Sequence, residues 1–332
     1  MKTPIIYVLI SNDKDFYCEQ AIISLVSLHM YNYGVKAILV TDHDTYQTLT
    51  GNRKRLIQLV SDIKIVDVPT SFSMLQKSRF IKTSLREIIQ GDYLFIDTDT
   101  IICSSLEDID NFKEDIGAVK DHHLTMADLP ESDKKLIYQR ASVTSWDITP
   151  QDTIYFNSGV LFVKDTPKTH ELYKLWHKYW LSNITRNLNF DQPALGKANS
   201  LTNNLIKELD GIWNCQLATN GIKFLHEAKI IHYYYKPLWY KKDKEIYPYL
   251  FYNEAFWKNI KKYDTIPDDI MKQIKEAKSA FSANTYLASG EDITILSSTI
   301  FHFIEFLYYK RPTIFQGLNS IFKYIKHITK NK

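Results

Sequence analysis

Asp97 and Asp99 stand one residue apart in the stretch YLFIDTDTII, residues 93 to 102, and are the side chains best suited to chemistry. A run of β-formers, Tyr93 to Ile96, stops at Asp97-Thr98-Asp99 and resumes as Thr100, Ile101 and Ile102. Short and apolar on both faces, the stretch reads as a buried strand of a mixed or parallel sheet. Ionised carboxylates at the end of such a strand are costly unless something positive meets them. A divalent cation with oxygen ligands, Mg²⁺ or Mn²⁺ shared with a substrate phosphate, would serve. Two acids that merely cap a strand or the following helix make the same pattern, so the pair alone leaves both readings open.

Other candidates lie on either side. Residues 78 to 89, SRFIKTSLREII, read as an amphipathic helix with Arg79, Lys82 and Arg86 on one face. That stripe could reach a diphosphate or could be an ordinary solvated face; the solvated face is the reading taken for Arg86, and Lys82 is left open between the two. In YFNSGVLFV (155–163), Asn157-Ser158-Gly159 interrupts an apolar strand, and the interior glycine suggests a bulge or a close approach by ligand or backbone. Asp191 precedes Gln192-Pro193 as a helix N-cap would, which gives it a structural alternative to any role in a site. His232 ends the strand KII and becomes a ligand only if carboxylates converge on it.

The elements that must position these groups alternate. Strands are expected at 4–10, 36–41, 63–68, 116–121 and 155–163, with helices at about 18–31, 53–60 and 166–182, the last entered through Thr166-Pro167. This is the pattern of an α/β sheet built from βαβ units, with ligands at the carboxyl edge of the strands. The first strand runs into Ser11-Asn12-Asp13 and Tyr17 at that edge. Residues 122 to 152 are polar and irregular, with a helix candidate at about 132–140, and could cover the site. DGIWNCQ (210–216) and AKIIHYYYKPLWY (228–240) close the sheet-forming part.

The 332 residues suffice for one large domain with an appendage or for two domains, and 45% hydrophobic against 24% charged residues describe a folded protein. A net charge of +3 is too small to argue for nucleic acid as a partner. Cys18, Cys103 and Cys215 have no metal-ligand spacing and leave one odd, which fits reduced thiols in a cytoplasmic protein. The N-terminal run IIYVLI is too short for a signal-peptide core or a membrane span and fits a buried strand. The last residues change character. Helices are expected at about 253–262, 267–280 and 292–309, and from 301 to 332 six basic residues stand against one acid, Glu305. An aromatic and basic amphipathic tail reads either as an interfacial anchor on an anionic membrane or as a helix packed on the main domain.

Taken in order, Ser11-Asn12-Asp13 with Tyr17, the Arg79/Lys82 helix, FIDTDTII, FNSGVLFV, Asp191-Gln192, Trp213-Asn214 and IIHYYYKPLW resemble the family 8 glycosyltransferases, which include glycogenins and bacterial lipopolysaccharide galactosyl- and glucosyltransferases. The resemblance spans residues 5 to 240 and implies a GT-A fold over 1–245, a mixed sheet flanked by helices, with 246–332 as a helical appendage. It implies Mn²⁺ or Mg²⁺ held by Asp97, Asp99 and His232 against the diphosphate of a UDP-sugar. Ser11, Asn12, Tyr17, Lys82, Thr98, Asn157, Ser158 and Lys236 would contact the donor, Asp191 the sugar hydroxyls, and Gln192 would lie beside the anomeric carbon. Retention of configuration, a glycan or lipid-linked acceptor in bacterial surface polysaccharide synthesis, and a place at the inner face of the cell membrane are carried over in the same way. Gln192 is a poor nucleophile, which favours a front-face route over a glycosidase-like double displacement and leaves Asp191 as the runner-up nucleophile. The chain departs from the family's closing motif, His-x-x-Gly-x-x-Lys-Pro-Trp, in having His232-Tyr-Tyr-Tyr-Lys236-Pro237-Leu238-Trp239. The glycine is gone and the spacing is shorter, so Lys236 is the doubtful contact.

Three other readings compete. A nucleotidyltransferase would want a glycine-rich basic loop after the first strand, and SNDKDFY is not one. A catalytically silent carbohydrate- or membrane-binding protein would have no need of both acids, the histidine and Asp191-Gln192 together. A self-glucosylating role is compatible with the 22 tyrosines, none of which is marked as an acceptor.

Overall fold

The apolar run at the N-terminus becomes the middle of the molecule. In the computed structural model, which describes residues 1–234, 249–281 and 295–330, strand β1 (Ile5–Leu9) is buried at every position. Ile5, Tyr7 and Leu9 enter one core cluster and Ile6 and Val8 another, so a strand covered on both faces has no polar positions to alternate.

Helix α1 (Tyr17–Tyr31) and strand β2 (Ala37–Thr41) follow. The short helices α2 (His43–Gln47) and α3 (Arg55–Gln58) lead to strand β3 (Asp62–Ile65), and α4 (Met74–Thr83) and α5 (Leu85–Ile88) lead to β4 (Tyr93–Ile96). These four strands are parallel in the order β3-β2-β1-β4. Strands β5 (Thr100–Ile102) and β6 (Ile116–Lys120), helix α6 (Glu131–Val143), strand β7 (Phe156–Val163), helices α7 (Pro167–Ile184) and α8 (Gln192–Leu201), and strands β8 (Ile206–Glu208), β9 (Cys215–Gln216) and β10 (Ile230–His232) complete the α/β part. β7 pairs antiparallel with both β4 and β6, and β8 runs parallel to β6, giving a mixed seven-stranded sheet ordered β3-β2-β1-β4-β7-β6-β8.

Several elements differ from expectation. The stretch 93–102 is two strands. After Ile96 the chain leaves the large sheet, and Thr100–Ile102 joins a second, three-stranded sheet ordered β5-β10-β9. The helix expected at 78–89 begins earlier, at a capping box in which the Ser73 side chain accepts from the Gln76 amide and Gln76 answers to the Ser73 amide. It breaks at Ser84, where the adjacent hydroxyls of Thr83 and Ser84 bond back to the carbonyls of Arg79 and Phe80. Arg86 is not on a solvated face. Its side chain is fully buried, 3.2 Å from the Asp165 carboxylate and 4.9 Å from the Tyr93 ring centroid. Asn157-Ser158-Gly159 does not interrupt β7; the irregularity falls in the partner β6, between Ala118 and Lys120.

By its internal contacts the chain divides into Met1–Thr285 and Tyr286–Lys332. In the first unit, helices α9 (Glu254–Lys262) and α10 (Asp268–Lys275) bring Phe256, Trp257, Ile260, Ile270 and Ile274 into the cluster that also holds Ile101, Cys215, Ile231 and Tyr233 of the small sheet. The compact unit thus runs on past residue 245, where the family resemblance ends. In the second unit, α11 (Thr299–Lys310) and α12 (Pro312–Lys330) meet at Arg311 and Pro312, and Tyr308 packs edge-to-face on Phe315. Ile314, Leu318, Ile321 and Phe322 recur at helical spacing along α12 and are exposed. Among the described residues no helix is long and apolar enough to cross a membrane.

Candidate active site

Strand register places the first three groups. The Asp97 amide donates to the Gly159 carbonyl (2.8 Å), fixing Asp97 at the carboxyl end of β4 beside β7. Antiparallel pairing sets His232 opposite Thr100, and the Tyr233 amide donates to the Asp99 carbonyl (3.2 Å). Asp97, Asp99 and His232, distant in sequence, therefore offer ligand atoms that all lie within 4.8 Å of one another.

The histidine ring is held at both nitrogens. Its Nε2 faces Asp99 Oδ1 at 3.2 Å, while Nδ1 lies 3.0 Å from Asn214 Oδ1. Asn214 in turn donates through Nδ2 to Asn157 Oδ1 (2.9 Å), so its oxygen is the atom left for His232. An Nδ1–H donated to that oxygen leaves the Nε2 lone pair free, the outer-sphere arrangement that orients metal-ligating imidazoles. Gly159 makes the space. A Cβ there would lie 2.3 Å from His232 Cε1, so what comes close at this glycine is a side chain, the histidine ring, rather than the ligand or backbone expected. The donor set, two carboxylates and an imidazole, suits Mn²⁺ or Mg²⁺.

Beside this trio lies a buried charge cluster. The Lys82 ammonium is 3.2 Å from Asp97 Oδ1, 3.2 Å from Ser158 Oγ and 3.7 Å from Asp191 Oδ2, and Arg79 Nε is 3.0 Å from Asp191 Oδ1. Lys82 is thus turned inward rather than solvated. Burial pushes the Asp97 carboxyl up against the pull of Lys82, with Asp99 adding to the rise. For Asp191 burial also acts upward, but Lys82, Arg79 and the Ser158 hydroxyl outweigh it and hold the carboxyl below its ordinary value. Asp191 occupies the N-cap position of α8 without a side-chain cap bond. Its carboxylate is spent on Lys82, Arg79 and Ser158 instead. The preceding loop is pinned by α7, whose Trp176 and Trp180 indoles donate to the carbonyls of Asp191 (2.9 Å) and Asn189 (3.3 Å).

These groups line one cavity of about 830 Å³, roughly the upper range for small-molecule and cofactor sites. Asn12, Tyr17, Lys82, Thr98, Asn157, Ser158, Asp191 and Gln192 all contribute to its wall alongside Asp97, Asp99 and His232. Gln192 donates to the Phe156 carbonyl (3.3 Å). Ser11 is not in the wall; its hydroxyl is held between Arg53 (2.5 Å) and Asp15 (2.6 Å). Lys236 lies outside the described residues.

Three participants were given no role from sequence, and Arg79 only a share in the stripe that could reach a diphosphate. Arg79 and Asn214 sit within matching motifs, but only the fold reveals what they touch. Asp121, which accepts from Asn157 Nδ2 (2.9 Å), ends the strand predicted at 116–121, and the carboxyl-edge rule that found Asp97 would have found it. Tyr234, 2.5 Å from the same Nδ2 and with its ring tilted against His232 at 4.0 Å between centroids, is hidden in a run of three tyrosines.

Neither a protein-family model nor a curated protein sequence matches this chain. Solved structures do. It is similar to galactosyltransferase LgtC in complex with donor and acceptor sugar analogues, at 16% identity and TM-score 0.52 over 82% of this chain and 100% of that one. An active-site mutant of LgtC aligns at 14% identity and TM-score 0.50 over 81% and 99%. Mouse xyloside xylosyltransferase 1, apo form, aligns at 15% identity and TM-score 0.47 over 70% and 97%. The architecture is therefore the GT-A glycosyltransferase fold, the fold that the family 8 motifs imply.

Proposed function

We propose that this chain is a metal-dependent, retaining glycosyltransferase that moves a sugar from a UDP-sugar to a glycan or lipid-linked glycan acceptor in bacterial surface polysaccharide synthesis. The observation that carries the reading is the convergence of Asp97, Asp99 and His232, with Lys82 beside them, on one wall of the cavity. Bound there, Mn²⁺ or Mg²⁺ would act as a Lewis acid that stabilises the charge growing on the leaving diphosphate. Lys82 adds a buried positive charge at the same edge, worth most where water is excluded. Asp191, kept ionised by Arg79 and Lys82, is suited to accept hydrogen bonds from sugar hydroxyls. Those same partners make it a poor nucleophile, which supports a front-face route: the acceptor oxygen bonds to the anomeric carbon as the diphosphate departs, and its proton passes to a diphosphate oxygen. Gln192, its amide nitrogen on Phe156, has its carbonyl end available to stabilise the oxocarbenium-like state.

The exposed apolar face of α12, with Lys310, Arg311 and Lys323 nearby in sequence, supports peripheral association with the anionic inner face of the cell membrane. The enzymatic reading is tested with Asp99→Asn and His232→Gln. Both should lose Mn²⁺-dependent turnover of UDP-sugars while keeping their circular dichroism. Full turnover in either would remove the metal site from the reading.

A further inference from the structure

The loop that lines the donor side of the cavity is held from outside the region of family resemblance. Residues 11–17 are organised around the Asp15 carboxylate, which accepts from the Ser11 hydroxyl (2.6 Å), the Asn12 amide (2.8 Å) and the Tyr17 amide (3.0 Å). Those bonds shape the loop, and its start is tied to the body of the protein by the Ser11 amide on Thr45 Oγ1 (3.1 Å) and Asn12 Nδ2 on Met74 Sδ (3.0 Å). Its middle, residues 13–16, is held by the last turn of α9. There the Lys261 ammonium donates to the carbonyls of Asp13 and Asp15 (3.1 Å to the latter) and lies 5.5 Å from the Phe16 ring centroid. A charged donor on two carbonyls is among the stronger hydrogen-bonding arrangements.

Helix α9 is itself locked in register. The carbonyls of its C-terminal turn, which an isolated helix leaves unpaired, are taken up by residues 52–55 at the start of α3. Arg55 donates to Ile260 (2.6 Å) and Tyr263, and Asn52 to Lys261 (3.3 Å) and Lys262 (2.9 Å). The neighbouring Arg53 reaches Ser11 Oγ at 2.5 Å. One short segment thus grips both the helix end and the start of the loop, and Lys261 closes the circuit. One turn earlier α9 is fixed by Trp257, buried and donating to the Phe251 carbonyl (3.0 Å).

We propose that Lys261 is a positioning residue for the nucleotide donor: it clamps the Asn12–Tyr17 loop in the conformation that lines the cavity, without itself touching the donor. This rests on the glycosyltransferase reading for its ligand but not for its geometry. Two measurements on the full chain separate them. In ligand-free protein, Lys261→Met should speed hydrogen exchange at the Asn12 and Tyr17 amides by about tenfold, while Lys258→Met, on the same helix and paired with Glu254 (2.9 Å), should leave them unchanged. With UDP and Mn²⁺ as probe, Lys261→Met should weaken binding by about tenfold and raise donor KM without lowering kcat, and Lys261→Arg should recover most of the affinity. Unchanged exchange in Lys261→Met overturns the clamp, as does wild-type UDP affinity in that variant. A wild type that binds no UDP overturns the donor reading, while the exchange experiment still decides whether Lys261 holds the loop.

Discussion

Gly159 is where one hydrogen atom decides whether the histidine can serve. An added methyl would stand 2.3 Å from His232 Cε1 and 2.8 Å from Nδ1, and the ring can yield only by giving up Asn214 on one side or Asp99 on the other. Gly159→Ala should therefore weaken Mn²⁺-dependent UDP binding by about tenfold or more with the fold intact; titration calorimetry giving the wild-type affinity would show the ring is not so confined. His123 makes a different demand. Its Nε2 accepts the Gln216 amide (3.1 Å), and burial, with Lys223 and Lys120 nearby, holds its pKa down at about 3. An unfolded chain takes up this proton near pH 6.5, the folded one only near pH 3, so the stability it contributes is complete above about pH 6.5 and is lost as pH falls toward 3, by up to about 1.4 kcal/mol per pH unit. His123→Phe should flatten urea-derived stability across that window. An unaltered slope would mean that His123 is not the group responsible.

At the scale of elements, what could be read from the sequence was local and what could not was pairing. The βαβ alternation, the buried first strand and the positions of Asp97, Asp99 and His232 at strand ends follow from runs of apolar residues and where they stop. That β5 leaves the large sheet to pair with β10, and so carries Asp99 to His232, depends on contacts between residues far apart in the chain, which no local period encodes. Arg86 misleads for the same reason. By helical spacing it would lie with Arg79 and Lys82, yet the helix breaks at Ser84 and packing against Tyr93 and Asp165 buries it. Arg86→Met should lower stability by roughly 2–3 kcal/mol, since Asp165 remains partly exposed and the loss is smaller than for a fully buried pair, and should leave UDP affinity unchanged. A stability change within about 0.5 kcal/mol would return Arg86 to the surface class. The terminal helices invite their own test. Removing residues 295–332 should reduce sedimentation with phosphatidylglycerol vesicles, with UDP binding retained; equal sedimentation would make the apolar face of α12 a packing surface only.

For the whole molecule, the motifs spread between Asn12 and His232 meet at one cavity because the sheet order gathers the carboxyl ends of β1 and β4 and the amino end of β7 side by side, with the end of β10 bonded to Asp99 just beyond β4. The aromatic stretch after 249, outside the resemblance, completes a core cluster under the small sheet and through Lys261 reaches back to the donor loop. The central claim is that this gathered wall binds a nucleoside diphosphate through a cation, and a thermal shift tests it most directly: UDP, GDP, CMP and dTDP, each with Mn²⁺ or with EDTA, on wild type and Asp99→Asn. A ligand at about 100 times its Kd adds about 2.7 kcal/mol, or several degrees for a chain of this size. The account predicts a shift for wild type with UDP and Mn²⁺, absent with EDTA and absent in Asp99→Asn. Equal shifts with and without the metal, or no shift with any nucleotide, would contradict it.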